Sequence, residues 1–366
     1  MDTIRYAVIG LGHIAQAAVL PAFAHAKNSK LVAFVSGDPK KLEKISRLYG
    51  VENNFRYEDY DDMLASGIVD AVYIALPNSL HYDFARRAIE RGVAVLCEKP
   101  LTVTAHESEE LVKAAEASRV RLMTAYRLHF ERANLETGEL IRSGKLGEPR
   151  FFNSSFSLQL QPGNIRSKRS LGGGPLYDLG VYCINAARSF FGEEPEEVFA
   201  FSSRGKDKRF VEVDEMTAAA LRFPDGKLAT FVCSFGASPV TWCEIVGTKG
   251  SLRLKNAYEY AEEIDLEVNL ESGKSEKRTF GKRDQFAPEL VYFSDCLLKD
   301  RRPEPDGTEG LADLRVIEAL LKSARTGRVE RVKPVEKQRR PTMRQQMRRR
   351  PVENPTVVRA HAASRS

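Results

Sequence analysis

The chain has few cysteines, few histidines, one tryptophan and no long apolar run, and these shortages exclude whole classes of protein. Its five cysteines among 366 residues (Cys97, Cys183, Cys233, Cys243 and Cys296) are scattered, odd in number and never spaced as C-x-x-C. That excludes a disulfide framework and a structural zinc site, and leaves reduced, buried thiols as the expectation. The six histidines form no H-x-x-x-H pair, so no metal centre is expected. No apolar run approaches the roughly 18 residues that a membrane helix needs. The N-terminus goes directly into the strand-like run Ile4-Arg5-Tyr6-Ala7-Val8-Ile9. It lacks the apolar stretch and cleavage site of a secretion signal, so the expected location is the cytoplasm.

Positive charge is concentrated at one end. Residues 331–366 carry 11 Lys/Arg against 2 Asp/Glu, whereas the remaining residues carry 45 against 48. The tail has no Phe, Trp or Tyr on which bases could stack, so no nucleic-acid partner is expected. It is expected to have little structure of its own, as a solvated extension or as an arm around a neighbouring subunit.

What is present is a change of periodicity near Pro149. Before it, apolar runs at 5–9, 31–35, 70–76, 93–97 and 120–125 alternate with amphipathic stretches at 13–26, 39–49, 79–91 and 104–117. Buried strands alternating with helices predict a parallel sheet covered on both faces. Gly92 is placed to end one helix, and Thr102 or Thr104 to cap the next. A further helix is predicted from Phe130 to Ser143. After Pro149, strand-like segments at 151–161, 196–203, 211–223, 228–235, 241–247 and 251–255 predict a mainly antiparallel sheet. Helices are predicted at 175–191, 286–299 and 309–325. The expected organisation is α/β: a first domain at 1–126, a second α+β domain at 127–330, and the basic tail.

Gly10-x-Gly12-x-x-Ala15 follows the first strand and opens the first helix. Glycines there permit a tight turn and close approach of the backbone, including His13 and Ile14, to a pyrophosphate at a helix N-terminus. In that context the motif predicts a Rossmann dinucleotide-binding domain. The second strand ends at Val35, and Ser36-Gly37-Asp38 follows, with Lys40 and Lys41 in the next helix. A small hydroxyl and lysines suit a ribose 2′-phosphate, which favours NADP over NAD. The alternative is that Asp38 reaches back to an unphosphorylated ribose and the lysines are solvated.

Four segments together carry a family resemblance: Gly10-Leu11-Gly12-His13-Ile14-Ala15, Leu76-Pro77-Asn78-Ser79-Leu80-His81, Cys97-Glu98-Lys99-Pro100 and Gly172-Gly173-Gly174-Pro175-Leu176-Tyr177-Asp178. The chain resembles the Gfo/Idh/MocA oxidoreductases, and within them the glucose–fructose oxidoreductase branch, over roughly residues 3–330. The resemblance implies that the second domain is built on a large open sheet and forms homodimers or homotetramers through it. It implies that Leu76, Asn78, His81, Glu98 and Arg127 neighbour the cofactor and that Lys99 is catalytic. It also implies a cis bond at Lys99-Pro100, which only proline makes inexpensive.

Asp178 and Tyr182 stand four apart on the helix after the glycine turn, so they share a face. Tyr182 is the candidate acid–base group for a hydroxyl–carbonyl interconversion. A free tyrosine titrates near 10, so a neighbouring cation such as Lys99 is required. Asp178 would bind a sugar hydroxyl, and Arg166 in the preceding basic loop is a candidate substrate contact. The alternative is that Tyr182 is a packing residue and Asp178 a salt-bridge partner. The expected activity is NADP-dependent oxidation of an aldose at C1, or the reverse reduction. The alternatives are a dehydrogenase of a non-sugar diol or polyol, and a non-catalytic NAD(P)-binding regulator. The first strand begins almost at Met1, so no N-terminal arm is expected to trap the cofactor, and NADP is expected to exchange.

Overall fold

The computed structural model describes residues 2–337, 339–352 and 357–364. The first sheet contains β1 (Ile4–Ile9), β2 (Ser29–Val35), β3 (Asn53–Phe55), β4 (Ala71–Ile74), β5 (Ala94–Glu98) and β6 (Leu122–Ala125). Their order is β3-β2-β1-β4-β5-β6, and every pairing is parallel. β4 and β6 are buried along their whole length because helices cover both faces. Tyr6, Val8, Phe34 and Tyr73 pack into the core on one side, and Ala7, Ile9, Val72 and Val95 on the other. Each large side chain removed from water contributes about 1.5–3 kcal/mol. Thr104, not Thr102, caps the helix Ala105–Ala117, through a reciprocal capping box with Glu107 worth about 1 kcal/mol.

The second sheet contains β7 (Pro149–Ser157), β8 (Glu197–Ser203), β9 (Met216–Arg222), β10 (Leu228–Ser234), β11 (Val240–Gly247), β12 (Gly250–Lys255), β13 (Ile264–Leu270), β14 (Ser275–Phe280) and β15 (Glu330–Arg331). The order is β14-β13-β12-β11-β7-β10-β9-β8-β15. The sheet is mixed: β7 and β10 pair in parallel, and the other pairings are antiparallel. One face packs against the helices Val181–Phe191 and Gly307–Thr326, where Ile184, Phe191, Val316 and Leu320 meet Phe152, Leu221 and Phe231.

Several expectations need correction. The predicted strand at 211–223 begins only at Met216, because Asp207 caps a 3-10 turn at Lys208–Phe210 and Glu212 is bonded to Lys168 and to the Arg169 backbone. β3, the helix Tyr60–Ala65 and the β13–β14 hairpin were not anticipated. β14 is an edge strand whose Ser-Glu-Lys-Arg-Thr run suits solvent and carries no apolar alternation. The helix Phe286–Leu298, assigned by sequence to the second domain, packs on the first sheet. Its Phe286, Leu290 and Phe293 join Tyr6 and Phe34, and Ser294 Oγ lies 2.8 Å from Tyr6 Oη and 2.7 Å from Ser29 Oγ.

The described part of the tail is held against its own chain at several points. Lys337 Nζ lies 2.6 Å from Glu304 Oε2 and 2.8 Å from Glu309 Oε2, and Arg340 Nη2 lies 2.7 Å from Glu194 Oε1. Gln345 is buried and donates to the Glu304 carbonyl at 2.8 Å. Two buried carboxylates need cations, and the tail supplies them to its own chain. Among the described residues no helix is long and apolar enough to cross a membrane. All five cysteines are buried and unpaired.

Candidate active site

β1 delivers Gly10 to the crevice where strand order reverses between β1 and β4, the place at which open parallel sheets bind ligands. Gly10 has φ +91°, and a Cβ there would lie 2.6 Å from the Ala75 carbonyl oxygen. Torsion and space both require glycine. A Cβ on Gly12 would meet nothing closer than the Ala75 oxygen at 4.0 Å, so the loop is open on that side. Ile14 leads into a π-turn at Ala15–Val19. This cradle of bare backbone in front of a helix fits the pyrophosphate of a dinucleotide.

Ser36, buried, follows β2. Asp38 caps the helix Pro39–Tyr49, its Oδ1 accepting from the Lys41 backbone N–H at 3.1 Å. Its other carboxylate oxygen accepts from Arg359 Nε at 2.9 Å. Asp38 is therefore engaged as a helix cap and in an ion pair. Burial lowers the pKa of the Lys41 ammonium.

The segment after β4 links the domains. Asn78 Nδ2 donates to the Gly172 carbonyl at 2.9 Å. His81 is fully buried, and its ring nitrogens lie 2.9 Å from the Leu76 and Pro100 carbonyl oxygens. It ties the segment carrying Leu76 to the one carrying Pro100. The Lys99-Pro100 bond is cis. Glu98 accepts from Tyr73 Oη at 2.9 Å, and its pKa is raised, chiefly by burial.

Lys99, Asp178, Tyr182 and Arg166 converge. Lys99 Nζ donates to the Asp178 carbonyl at 2.9 Å and approaches Oδ1 at 3.3 Å, and Arg166 Nε donates to Oδ2 at 2.7 Å. Burial would raise the Asp178 carboxyl, but the charges of Arg166 and Lys99 outweigh it and hold its pKa below the usual value. Burial likewise opposes the Lys99 ammonium, but Tyr182, Asp178 and Glu98 together hold its pKa above the ordinary value. Lys99 Nζ stands 4.5 Å from the centroid of the Tyr182 ring, and the Arg127 guanidinium 5.2 Å from it. Arg127 is fixed by the Gln285 side chain and the Tyr258 carbonyl. Asp178 lies in a π-turn, Leu176–Gly180, and Tyr182 in the α-helix that follows, so their shared face spans a change of helical pitch.

The sequence matches two family models: the oxidoreductase family with an NAD-binding Rossmann fold over residues 4–126, and the GFO/IDH/MocA C-terminal domain over residues 135–253. The chain belongs to the Gfo/Idh/MocA oxidoreductase family. It is similar to the D-xylose 1-dehydrogenase [NADP(+)] of Haloarcula marismortui, at 31% identity over 89% of this chain and 92% of that one. It is similar to the crystal structure of an aldose–aldose oxidoreductase from Caulobacter crescentus in complex with glycerol. That match has 36% identity and a TM-score of 0.86, and covers 90% of this chain and all of that one. A 3-ketoreductase from Actinomadura kijaniata with NADP and TDP-benzene bound matches at 27% identity and a TM-score of 0.80, over 88% and 98% of the two chains.

Within this Gfo/Idh/MocA oxidoreductase, sequence reasoning missed the tail's return to the glycine loop. Gln16 Nε2 donates to the Leu11 carbonyl at 2.8 Å and the Val358 carbonyl at 3.0 Å, and Gln16 Oε1 accepts from the Val358 N–H at 2.6 Å. A buried glutamine inside the first helix was the one signal available, and it does not name its partner. Among the described residues no group of three or more His, Cys, Asp or Glu is placed to hold a metal.

Proposed function

We propose that this oxidoreductase interconverts the C1 hydroxyl of an aldose and its lactone with NADP as the hydride partner. The observation that carries the reading is the convergence of Lys99, Asp178 and Tyr182, with Lys99 Nζ 2.9 Å from the Asp178 carbonyl and 4.5 Å from the Tyr182 ring centroid. The names of the xylose dehydrogenase and the aldose–aldose oxidoreductase support a sugar and NADP. The nicotinamide, when bound, takes up or returns the hydride at the sugar carbon. Gly10, Gly12, His13 and Ile14 would hold the pyrophosphate, Ser36 and Lys41 would meet the adenosine ribose, and Leu76, Asn78 and Glu98 would line the nicotinamide end.

In the oxidative direction Tyr182 Oη takes the proton of the C1 hydroxyl, and in reduction it returns that proton. Lys99 Nζ stabilises the negative charge that develops on the C1 oxygen. Asp178, kept ionised by Arg166, accepts a hydrogen bond from a neighbouring sugar hydroxyl and fixes which carbon faces the hydride path. His81 and Arg127 keep these groups in place from behind.

The test follows absorbance at 340 nm with purified protein, NADP and a panel of aldoses and polyols. NADPH formed with an aldose and lost in Tyr182→Phe supports the reading. Turnover only with aromatic or aliphatic diols would overturn the sugar assignment. A second reading, direct exchange between two sugars on one retained cofactor, is favoured by the Caulobacter relative's name. It predicts lactone formation from one aldose only when a second aldose is supplied as acceptor.

The outer face of the second sheet supports a homo-oligomer. Phe151, Phe201, Leu228, Val232 and Val240 are exposed on it. An apolar patch this broad on a folded domain marks a protein interface.

A further inference from the structure

Residues 357–364 connect the two domains. Val358 forms a two-point amide pair with Gln16, directly after the glycine loop. Arg359 meets Asp38 after β2. The Gln161 N–H donates to the Ala363 carbonyl at 2.8 Å, and Leu160 forms a bridge with Ser364, both beyond the end of β7. Val358 packs on the core of the first domain and Ala363 on that of the second. The segment is a strap from the adenosine side of the cofactor crevice to the substrate domain.

We propose that Arg359, carried on this strap, is the guanidinium that receives the 2′-phosphate of NADP and makes the enzyme discriminate against NAD. The proposal rests on the NADP reading given above. In Rossmann domains the residues after the second strand meet the adenosine ribose, and an arginine nearby accommodates a 2′-phosphate. The segment Ser36-Gly37-Asp38-Pro39-Lys40-Lys41 contains no arginine of its own. Arg359 fills that place from 321 residues away in the chain.

Three observations favour a ligand role over a simple anchor. Arg359 adopts φ +49°, a left-handed conformation that an ordinary side chain occupies only when its surroundings impose it. Its side chain is 55% exposed and only Nε is bonded among the described residues, which leaves both Nη groups for an anion. An ion pair this exposed contributes little stability. Finally, Arg359 and Lys41 act on each other as like charges beside the single carboxylate of Asp38. Among the described residues Lys41 has no ion-pair partner, so the cluster carries excess positive charge. A phosphate of about −1.5 to −2 charge neutralises it.

Calorimetric titration of the full-length protein with adenosine 2′,5′-bisphosphate and with AMP, which lacks only the 2′-phosphate, tests the assignment without turnover. The parent protein is expected to prefer the 2′-phosphate. Arg359→Ala is expected to lose about 10- to 100-fold in affinity for the bisphosphate with AMP binding unchanged, and Arg359→Lys to recover part of it. An unchanged preference in Arg359→Ala, with an unchanged melting temperature, would overturn the role of Arg359. Equal weakening of both nucleotides would also overturn it, leaving the strap as a structural cover only. No preference in the parent protein would instead refute the NADP reading itself.

Discussion

The ammonium of Lys99 rests on the ring face of Tyr182, 4.5 Å from its centroid, and not at its hydroxyl. A cation over an aromatic face contributes about 0.5–2 kcal/mol, and here it fixes the ring while Nζ is also bonded to the Asp178 carbonyl. The phenol oxygen is thereby left for substrate. Tyr182→Phe keeps the ring and this stacking and deletes only the proton carrier. It should lower kcat by about 10²- to 10⁴-fold with nucleotide affinity unchanged in a direct titration. Lys99→Met should lower kcat at least as far. A Tyr182→Phe enzyme retaining half its turnover would remove Tyr182 from the acid–base role.

Lys337 is the only cation within bonding distance of Glu304 among the described residues, and it also holds Glu309. Removing one partner of a buried ion pair costs about 3–5 kcal/mol, so Lys337→Met should lower the melting temperature strongly. The pH dependence has a defined sign. Burial pushes the Glu304 carboxyl up to about 7, against the pull of Lys337. A raised carboxyl contributes stability that is complete below its unfolded value and is lost as pH rises through about 7. Without Lys337 the alkaline loss deepens, so the gap between parent and variant should be wider at pH 8 than at pH 5. An equal gap at both values would argue that Lys337 acts through packing alone.

Local motifs were legible in the sequence, and contacts between remote polar residues were not. Gly10 and Gly12 are recognisable because a tight turn with close backbone approach needs glycine at fixed spacing, and the structure leaves no room for a Cβ at Gly10, which has φ +91°. Lys99 and Tyr182 were found through short motifs, and the structure places them side by side. Helical spacing brought Asp178 and Tyr182 to one face without revealing the π-turn between them, since a single shifted hydrogen bond leaves no compositional trace. Gln16 with Val358, and Lys337 with Glu304, are pairs of polar residues at large separation in a segment without periodicity. Nothing in a single sequence marks such pairs. The expectation of freely exchanging NADP came from the N-terminal end and did not foresee a strap from the other end of the chain.

His129 supplies an acid limb to stability. Burial drives its pKa down to about 4, although Glu309 and a hydrogen bond with Asn185 oppose the shift. A depressed histidine contributes stability that is present above its unfolded value near 6.5 and is lost as pH falls through about 4. His129→Gln cannot titrate, so the difference in melting temperature between parent and variant should shrink from pH 7 to pH 4.5. A difference that stays constant across that range would show that His129 carries its proton in neither state or in both.

The outer sheet face offers the clearest test of assembly. Leu228 stands opposite Phe151 in the β7–β10 pair, and Val232 opposite Ser155, which pairs on its other side with Trp242. Phe201 continues the patch on β8, opposite Ala218 of β9. These positions alternate with buried ones, so a charge introduced there leaves the core intact. Val232→Glu combined with Phe201→Glu should therefore convert an oligomer to a monomer in light scattering while circular dichroism is unchanged. Trp242 is the sole tryptophan and lies in the same patch. Its emission should shift to longer wavelength in the double variant as solvent replaces the partner. If the parent protein is itself monomeric at micromolar concentration and its Trp242 emission matches that of the variant, the face does not mediate self-association.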